Sequence, residues 1–399
     1  MSWLILGSLV PSLAVAWAAG FLVRKYGPRW GLVDRPGHRK VHNVPTPTSG
    51  GLAIWLGIVL PLAAGQAVLW ARVAARGAAD GHVGIGATDG HVAVGATDGR
   101  GFVLPEIVET HLGGLVQQSG RLWTLLAGGT ALLILGLVDD RRGLGWQLRL
   151  AVQTLVAVIL VLLGWRMTLF IDLPWLTGTL SVLWIVGLTN SFNWLDNMDG
   201  LSAGVAAIAG AMLAVVMLLA PSPVTRQPQL FIGGFSLVLV GSLVGFLWHN
   251  RPPARLFMGD AGAYLVGYLL AMTTLTATYT GYQGARHAIL APLCVLAVPL
   301  YDTVTVLGIR LRAGRSPFVG DKSHFSHRLV ELGMTKTQAV LTIYLATATC
   351  GLGALLLHKV DAAGAGVILL LVACVLVLVG ILETAGRRRQ NNGPTQDSP

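Results

Sequence analysis

Charge is scarce in this chain. Asp, Glu, Lys and Arg make up 12% of its 399 residues, against about 25% in a typical soluble domain. Hydrophobic residues fill 54% of the chain and the mean hydropathy is +0.67. That balance excludes a soluble enzyme, a coiled coil and a disordered protein. It excludes an outer-membrane barrel too, because barrel strands alternate apolar and polar residues and the apolar runs here are continuous. Cysteine is rare. Cys294, Cys350 and Cys374 are odd in number, sit inside apolar runs and show no metal spacing, so packing is their expected role. Acidic residues are outnumbered, 18 against 28 Lys and Arg, which leaves a net charge of +10. A basic surplus fits either nucleic acid or anionic lipid and anionic substrates. The apolar composition selects the second, with no nucleic-acid partner.

What the chain has in quantity is long apolar stretches. A membrane helix takes roughly 20 residues, and such runs are read at 2–23, 48–70, 121–138, 146–165, 177–193, 201–220, 230–248, 261–280, 288–309, 336–357 and 362–383. The fold class expected is an all-α polytopic membrane protein with about eleven transmembrane helices. Nothing basic precedes the first run, whereas Arg24, Lys25 and Arg29 follow it. A signal peptide has the opposite polarity, so the N-terminus is placed outside. Of the 28 Lys and Arg, 20 then fall on the cytoplasmic side, in agreement with the positive-inside rule. The C-terminus, with Arg387, Arg388 and Arg389, is cytoplasmic as well. Residues 1–383 are read as a single transmembrane domain, and 384–399 as a disordered basic and polar tail. The segment 71–119 interrupts the pattern with a near repeat, D-G-H-V-G-I-G-A-T (80–88) followed by D-G-H-V-A-V-G-A-T (89–97). The repeat is similar to calcium-binding β-roll repeats, but two copies are too few to build a roll. A flexible extracytoplasmic insertion is expected there.

Five polar clusters remain: D-R-P-G-H-R-K-V-H (34–42) with P-T-P-T-S-G-G (45–51), D-D-R-R (139–142), N-S-F-N-W-L-D-N-M-D-G (190–200), H-N-R-P-P-A-R-L-F-M-G-D (249–260) and R-S-P-F-V-G-D-K-S-H-F-S-H-R (315–328). Two spans separate each cluster from the next, so parity puts all five on the cytoplasmic face. Ordinary loop charge would be spread over both faces. Gathering on one suggests a site.

Asp139 and Asp140 close an apolar run, where two acids oppose the helix dipole and repel each other. Solvated carboxylates paired with Arg141 and Arg142 are the bland alternative, but a nearby cation explains the pair better. Neighbouring helical residues point about 100° apart, so the two acids are expected to do different jobs. Asn190, Asn193, Asp196 and Asp199 recur every third residue, and Asn193, Asp196 and Asn197 are helix neighbours. An oxygen-only cluster of this kind suits Mg²⁺, which takes few protein ligands and keeps water or phosphate oxygens. In L-F-M-G-D, Phe257 is placed to stack on a nucleobase and Asp260 to bind the metal. His324 and His327, with Arg315 and Arg328, are suited to a diphosphate. A zinc site is the alternative for two His, but no third His or Cys ligand is near.

Taken in order, these residues resemble the polyprenyl-phosphate N-acetylhexosamine-1-phosphate transferases. The motifs are D-R-P-x-x-R-K-x-H-x-x-P-T-P with G-G, then G-L-V-D-D, N-x-x-N-x-x-D-x-x-D-G-L, F-M-G-D and S-P-x-x-x-D-x-x-H-x-x-H-R-L. They cover about residues 30–345 apart from the insertion, and five ordered motifs are specific where each alone is weak. The resemblance implies an enzyme of the plasma (inner) membrane with its active site on the cytoplasmic face. Its acceptor would be a polyprenyl phosphate, its donor a UDP-N-acetylhexosamine and its cofactor Mg²⁺, for which Mn²⁺ can substitute. UMP would be released, and a lipid-linked cell-envelope glycan begun.

By motif, Asp139 would engage or deprotonate the acceptor phosphate, with Asp140 beside it as the second catalytic acid. The base role is modest, since a phosphate monoester has its second pKa near 6. Asn193 and Asp260 would ligate the metal, and Asp196 and Asp199 would flank uridine and metal. Asn250 and Phe257 would hold the uracil, and Lys40 and His42 would contact the nucleotide. His324, His327 and Arg328 would stabilise diphosphate and sugar.

Two departures stand out. Ala263 replaces a common Ser, and Ser326 replaces a His of the H-x-H-H found in relatives that use UDP-N-acetylglucosamine. The three consecutive His of the phospho-N-acetylmuramoyl-pentapeptide branch are absent. The N-acetylglucosamine donor is therefore preferred, with another hexosamine or the muramoyl-pentapeptide as the alternative. An ion-coupled transporter is the alternative from another class, and it requires acids at mid-span. The assembly, a homodimer among the options, is left open.

Overall fold

The computed structural model describes residues 2–34, 45–79, 112–167, 172–219, 228–277, 286–318 and 323–391. It is a bundle of helices whose order follows the apolar runs. α1 (Ser2–Tyr26) ends in a short turn of 3-10 helix closed by Gly31 at φ 76°. Two-residue strands follow, β1 (Val33–Asp34) antiparallel to β2 (Thr46–Pro47). The succeeding helices are α2 (Gly50–Ala79), α3 (Leu112–Arg142), α4 (Trp146–Leu162), α5 (Pro174–Leu195), α6 (Leu201–Leu219), α7 (Leu230–Asn250) and α8 (Gly259–Thr276). Next come α9 (Ala291–Val295), α10 (Ala297–Arg312), α11 (Phe325–Glu331), α12 (Lys336–Leu356) and α13 (Ala362–Asn391).

Each of the eleven expected intervals carries a helix. Among the described residues seven helices, α1, α2, α3, α6, α7, α12 and α13, are long and apolar enough to cross a membrane. The pair Arg286–Val295 and Ala297–Arg312, bent by 68°, makes an eighth when counted as one span. Two boundaries differ from expectation. The insertion expected at 71–119 is narrower, since α2 continues to Ala79 and α3 begins at Leu112. The expected tail at 384–399 begins as helix, because α13 runs on to Asn391. In both places the backbone continues its hydrogen-bonded helix past the continuous apolar run. Cys294 and Cys350 are buried as packing residues, whereas Cys374 is exposed.

Small residues let the helices approach closely, as is usual where lipid provides no hydrophobic drive between them. Gly241 and Gly245 of α7 face the α1 backbone so tightly that a Cβ on either would strike the carbonyl of Leu9 or Leu13. Gly136 of α3 meets the α8 backbone at Ala261, and Gly51 of α2 meets it at Gly262. α8 is the hub. It packs against α2, α3, α5 and α6, and its residues from Ala261 to Leu275 are all buried. Polar side chains tie it in place: Tyr268 donates to the Leu125 carbonyl (2.9 Å) and Trp184 Nε1 to Thr274 Oγ1 (2.9 Å).

Candidate active site

Several helix ends meet at one end of the bundle around a cavity of about 980 Å³. α3 and α5 deliver Asp139, Asp140 and Asn193, and the N-terminus of α8 delivers Asp260.

The two adjacent acids have different jobs, as their 100° offset requires. Asp139 is buried and accepts three donors: Leu144 N (2.7 Å), Arg149 Nη1 (3.1 Å) and the Tyr264 hydroxyl (2.8 Å). Arg149 supplies the counter-charge that the pair was expected to need. Its guanidinium is 29% exposed and lines the cavity. Asp140 instead caps α8, accepting from Asp260 N (3.0 Å) and Ala261 N (3.2 Å). A carboxylate on the free N–H groups of a helix start satisfies those donors and complements the dipole. Gly259 makes the contact possible. Its φ is 71°, and a Cβ there would strike the Thr48 carbonyl and come within 2.6 Å of Asp140 Oδ2.

Asn193 donates through Nδ2 to Asp260 Oδ1 (2.5 Å), so the expected metal pair is joined directly. The expected helical spacing does not extend to Asp196 and Asn197, because α5 ends at Leu195 and Asp196 takes a non-helical backbone (φ −79°, ψ 56°). All three still line the cavity. Asp199 also lines it, and its Oδ2 accepts from Ala254 N (2.9 Å), which pins the loop that follows α7.

That loop presents Phe257 to the cavity. The Phe257 backbone is held from both sides, N donating to Pro47 O (2.8 Å) and O accepting from Gly50 N (3.0 Å). Asn250 lines the cavity as well. Its side chain is buried, Nδ2 donating to Leu256 O (2.9 Å) and Oδ1 accepting from Gly200 N (3.0 Å). Both ends of the amide thus also hold the loop backbone.

The histidine segment divides in two. His327 lines the cavity. His324 and Arg328 are buried and turned inward: His324 Nδ1 lies 2.9 Å from Asp302 Oδ2, and Arg328 Nε lies 3.1 Å from Glu383 Oε2. His324 Nδ1 and Arg328 Nε are thus directed to those two acids, while Arg328 Nη2 donates to Thr305 Oγ1 (3.0 Å). Lys40 and His42 lie outside the described residues.

Electrostatically the cavity is lopsided. Asp34, Asp139, Asp140, Asp196, Asp199 and Asp260 line it, while its permanent cations among the described residues are Arg149 and Lys336. Asp196 is the most exposed to this imbalance. Desolvation first, then the charges of Asp260 and Asp199, push its carboxyl up to about 8 from an ordinary 3.8. Among the described residues it meets no donor. An acid so placed, beside Asp260 and Asn193, fits a hard divalent cation with oxygen ligands. No group of three His, Cys, Asp or Glu among the described residues is placed to hold a metal ion by itself.

Sequence reasoning assigned no role at the site to Arg149, Tyr264, Asp302 and Glu383. Tyr264 was recoverable, as it lies four residues after Asp260 and so shares its helix face. Asp302 had a signal too, being the acid inside the apolar run 288–309.

A family model described as glycosyl transferase family 4 matches residues 122–278. The chain is 30% identical over 332 residues to a Bacillus subtilis protein named probable undecaprenyl-phosphate N-acetylglucosaminyl 1-phosphate transferase, covering 81% of this chain and 76% of the relative. It is 34% identical over 376 residues to the decaprenyl-phosphate N-acetylglucosaminephosphotransferase of Mycolicibacterium smegmatis, covering 88% and 81%. To the undecaprenyl-phosphate alpha-N-acetylglucosaminyl 1-phosphate transferase of Escherichia coli it is 26% identical over 347 residues, covering 82% and 77%.

Proposed function

The chain belongs to glycosyl transferase family 4 and is a sugar-phosphate transferase, and we propose that it moves N-acetylglucosamine 1-phosphate from UDP-N-acetylglucosamine to a membrane polyprenyl phosphate, undecaprenyl phosphate being the fitting acceptor. An oxygen of the lipid phosphate forms a bond to the β-phosphorus of the donor. The bond between that phosphorus and the bridging oxygen breaks, and UMP leaves with the oxygen. The product is a polyprenyl-diphospho-sugar on the cytoplasmic face of the plasma membrane. With eleven crossings, the N-terminus outside and the C-terminus inside, as the sequence suggests, the acids would lie on that face.

One observation carries the reading: Asp196, Asp260 and Asn193 line one carboxylate-rich cavity in which Asp196 meets no counter-charge among the described residues. These three residues would hold Mg²⁺. When bound, the ion lowers the repulsion between the donor diphosphate and an anionic nucleophile and stabilises the departing phosphate. The chain's own residues do the rest. Phe257, clamped between β2 and the start of α2, offers a ring face to the uracil. Arg149, oriented by Asp139 and Tyr264, offers a guanidinium to the acceptor phosphate, so Asp139 acts through Arg149. Asp140 fixes the start of α8 and with it Asp260. His327 and Lys336 add positive charge at the cavity wall, where the diphosphate must lie.

The test is UMP release by the purified protein in detergent, with polyprenyl phosphate, Mg²⁺ and a panel of UDP-sugars. Turnover is expected with UDP-N-acetylglucosamine and none without divalent cation. Release from the muramoyl-pentapeptide donor alone would overturn the donor assignment.

A further inference from the structure

α11 is seven residues long, and isolated helices shorter than about 12–15 residues are marginal in water. Its place is therefore set by what holds it. Its N-cap residue, His324, makes no side-chain cap of its own. Asp302, from α10, supplies one across the fold: Oδ1 accepts from Phe325 N (2.6 Å) while Oδ2 faces His324 Nδ1 (2.9 Å). At the other end of the helix Arg328 reaches Glu383 of α13 (3.1 Å), Thr305 (3.0 Å) and Asp302 Oδ1 (4.0 Å). The Tyr301 hydroxyl also donates to Glu383 (3.3 Å). Ser326 donates to Asn197 Oδ1 (2.5 Å), which ties the helix to the loop carrying Asp196 and Asp199.

His324 and Arg328 are four residues apart and so share a face, the one turned to Asp302 and Glu383. His327 is rotated off that face and lines the cavity. Buried ion pairs of this kind seldom add stability over well-packed apolar residues. What such a pair does well is hold a geometry.

We propose that Asp302 is a positioning residue, which caps α11 and orients His324 so that His327 is presented to the catalytic cavity, with Glu383 holding the far end of the same helix. The last long helix, α13, thereby reaches the site without touching substrate. The proposal rests on the sugar-phosphate transfer proposed above for its kinetic arm, and on the fold alone for its structural arm.

The structural arm is hydrogen exchange of the detergent-solubilised full chain. In Asp302→Asn, amide protection is expected to fall at least tenfold over residues 324–331 and to hold in α12. Unchanged protection over 324–331 overturns the proposal whatever the substrate proves to be. The kinetic arm is a double-mutant cycle. Asp302→Asn should lower kcat about 10–100-fold, the usual scale for losing an orienting partner, with the donor KM within about threefold. In a His327→Ala background the same change should move kcat by less than about threefold, because the residue through which Asp302 acts is gone. An equal loss in both backgrounds, or wild-type kcat in Asp302→Asn, overturns the assignment. If Asp302→Asn does not fold, Glu383→Gln is read in both arms by the same criteria. Should the wild-type protein release UMP from no UDP-sugar, the proposed function falls, and hydrogen exchange still decides the anchor.

Discussion

Replacing Gly259 by Ala is the most informative single change, because two separable physical terms act there. The residue sits at φ 71°, in the left-handed region that costs a residue with a Cβ about 1–2 kcal/mol. The new methyl would also strike the Thr48 carbonyl and approach Asp140 Oδ2 to 2.6 Å. Thr48 O belongs to the backbone beside β2 and cannot swing aside, so Asp140 must. Asp140 holds Asp260 N and Ala261 N, and a hydrogen bond to a charged group contributes about 1.5–3 kcal/mol. Strain plus one lost bond therefore destabilises the start of α8 by about 2.5–5 kcal/mol. The consequence for turnover is larger than for folding. Asp260 rides on that first turn, and a displacement near 1 Å at a reacting centre lowers rate on the order of 100-fold. Gly164→Ala is the control. It shares the left-handed backbone, φ 92°, but a Cβ there meets nothing within 4 Å. Melting temperature and UMP release are measured for both variants. Gly259→Ala should lose melting temperature and about two orders of magnitude in kcat, whereas Gly164→Ala keeps kcat within about twofold. Wild-type turnover in Gly259→Ala, or equal losses in the two, would refute the reasoning.

Three further outcomes follow from the same geometry. Asp196→Asn removes a carboxyl that desolvation, Asp260 and Asp199 all disfavour in its charged form. At neutral pH and in EDTA the variant should therefore melt higher than wild type, while losing the stabilisation that added Mg²⁺ gives the wild-type protein. Cation binding should also depend on pH. Below about 8 the Asp196 carboxyl holds a proton that a metal must displace, so Mg²⁺ affinity read from the melting shift should strengthen by up to about tenfold per unit from pH 6 to 8 and level off above. A flat profile would remove Asp196 from the metal shell. Phe257→Ala should raise the donor KM about tenfold or more, since base stacking on an aromatic ring is worth about 1–3 kcal/mol, with Mg²⁺ dependence unaltered. Titration with UDP would detect it directly.

Much of this arrangement is legible in the sequence, and the parts that are not share a cause. Apolar runs announce helices because a segment in lipid must satisfy its own backbone, which is why each expected interval carries one. Asp139, Asp140, Asn193, Asp196, Asp199, Phe257 and Asp260 all line one cavity, as the gathering of polar motifs at the ends of apolar runs suggests. Direction is what sequence conceals. Asn250 and Phe257 belong to one motif and both line the cavity, yet only the Asn250 amide is also tied to the backbone of Leu256 and Gly200. His324 and His327 sit three apart, yet one turns to Asp302 and the other to the cavity. Those choices depend on Asp302 and Glu383, which come from other helices, and no local pattern points to them.

The position of Asp140 bears on how a cavity lined with acids can receive anions at all. The start of a helix is a natural phosphate site, with free N–H groups and the positive end of the dipole directed outward. α8 opens on the cavity in that orientation, but Asp140 already occupies its first donors, Asp260 N and Ala261 N. A substrate phosphate therefore cannot use the helix start, and the protein's own anion holds Asp260 in place instead. Arg149 is partly committed to Asp139. The described cations are thus outnumbered by acids, and a nucleoside diphosphate and a lipid phosphate together would only deepen the imbalance. We propose that attraction comes from a charge that the acids themselves recruit. On this reasoning the acids are the means by which anions bind, and removing divalent cation should abolish donor binding as well as turnover. UDP titration of the wild-type protein in EDTA and in Mg²⁺ separates the two cases: equal affinity in both would mean that the described side chains suffice and that the carboxylates serve some other end.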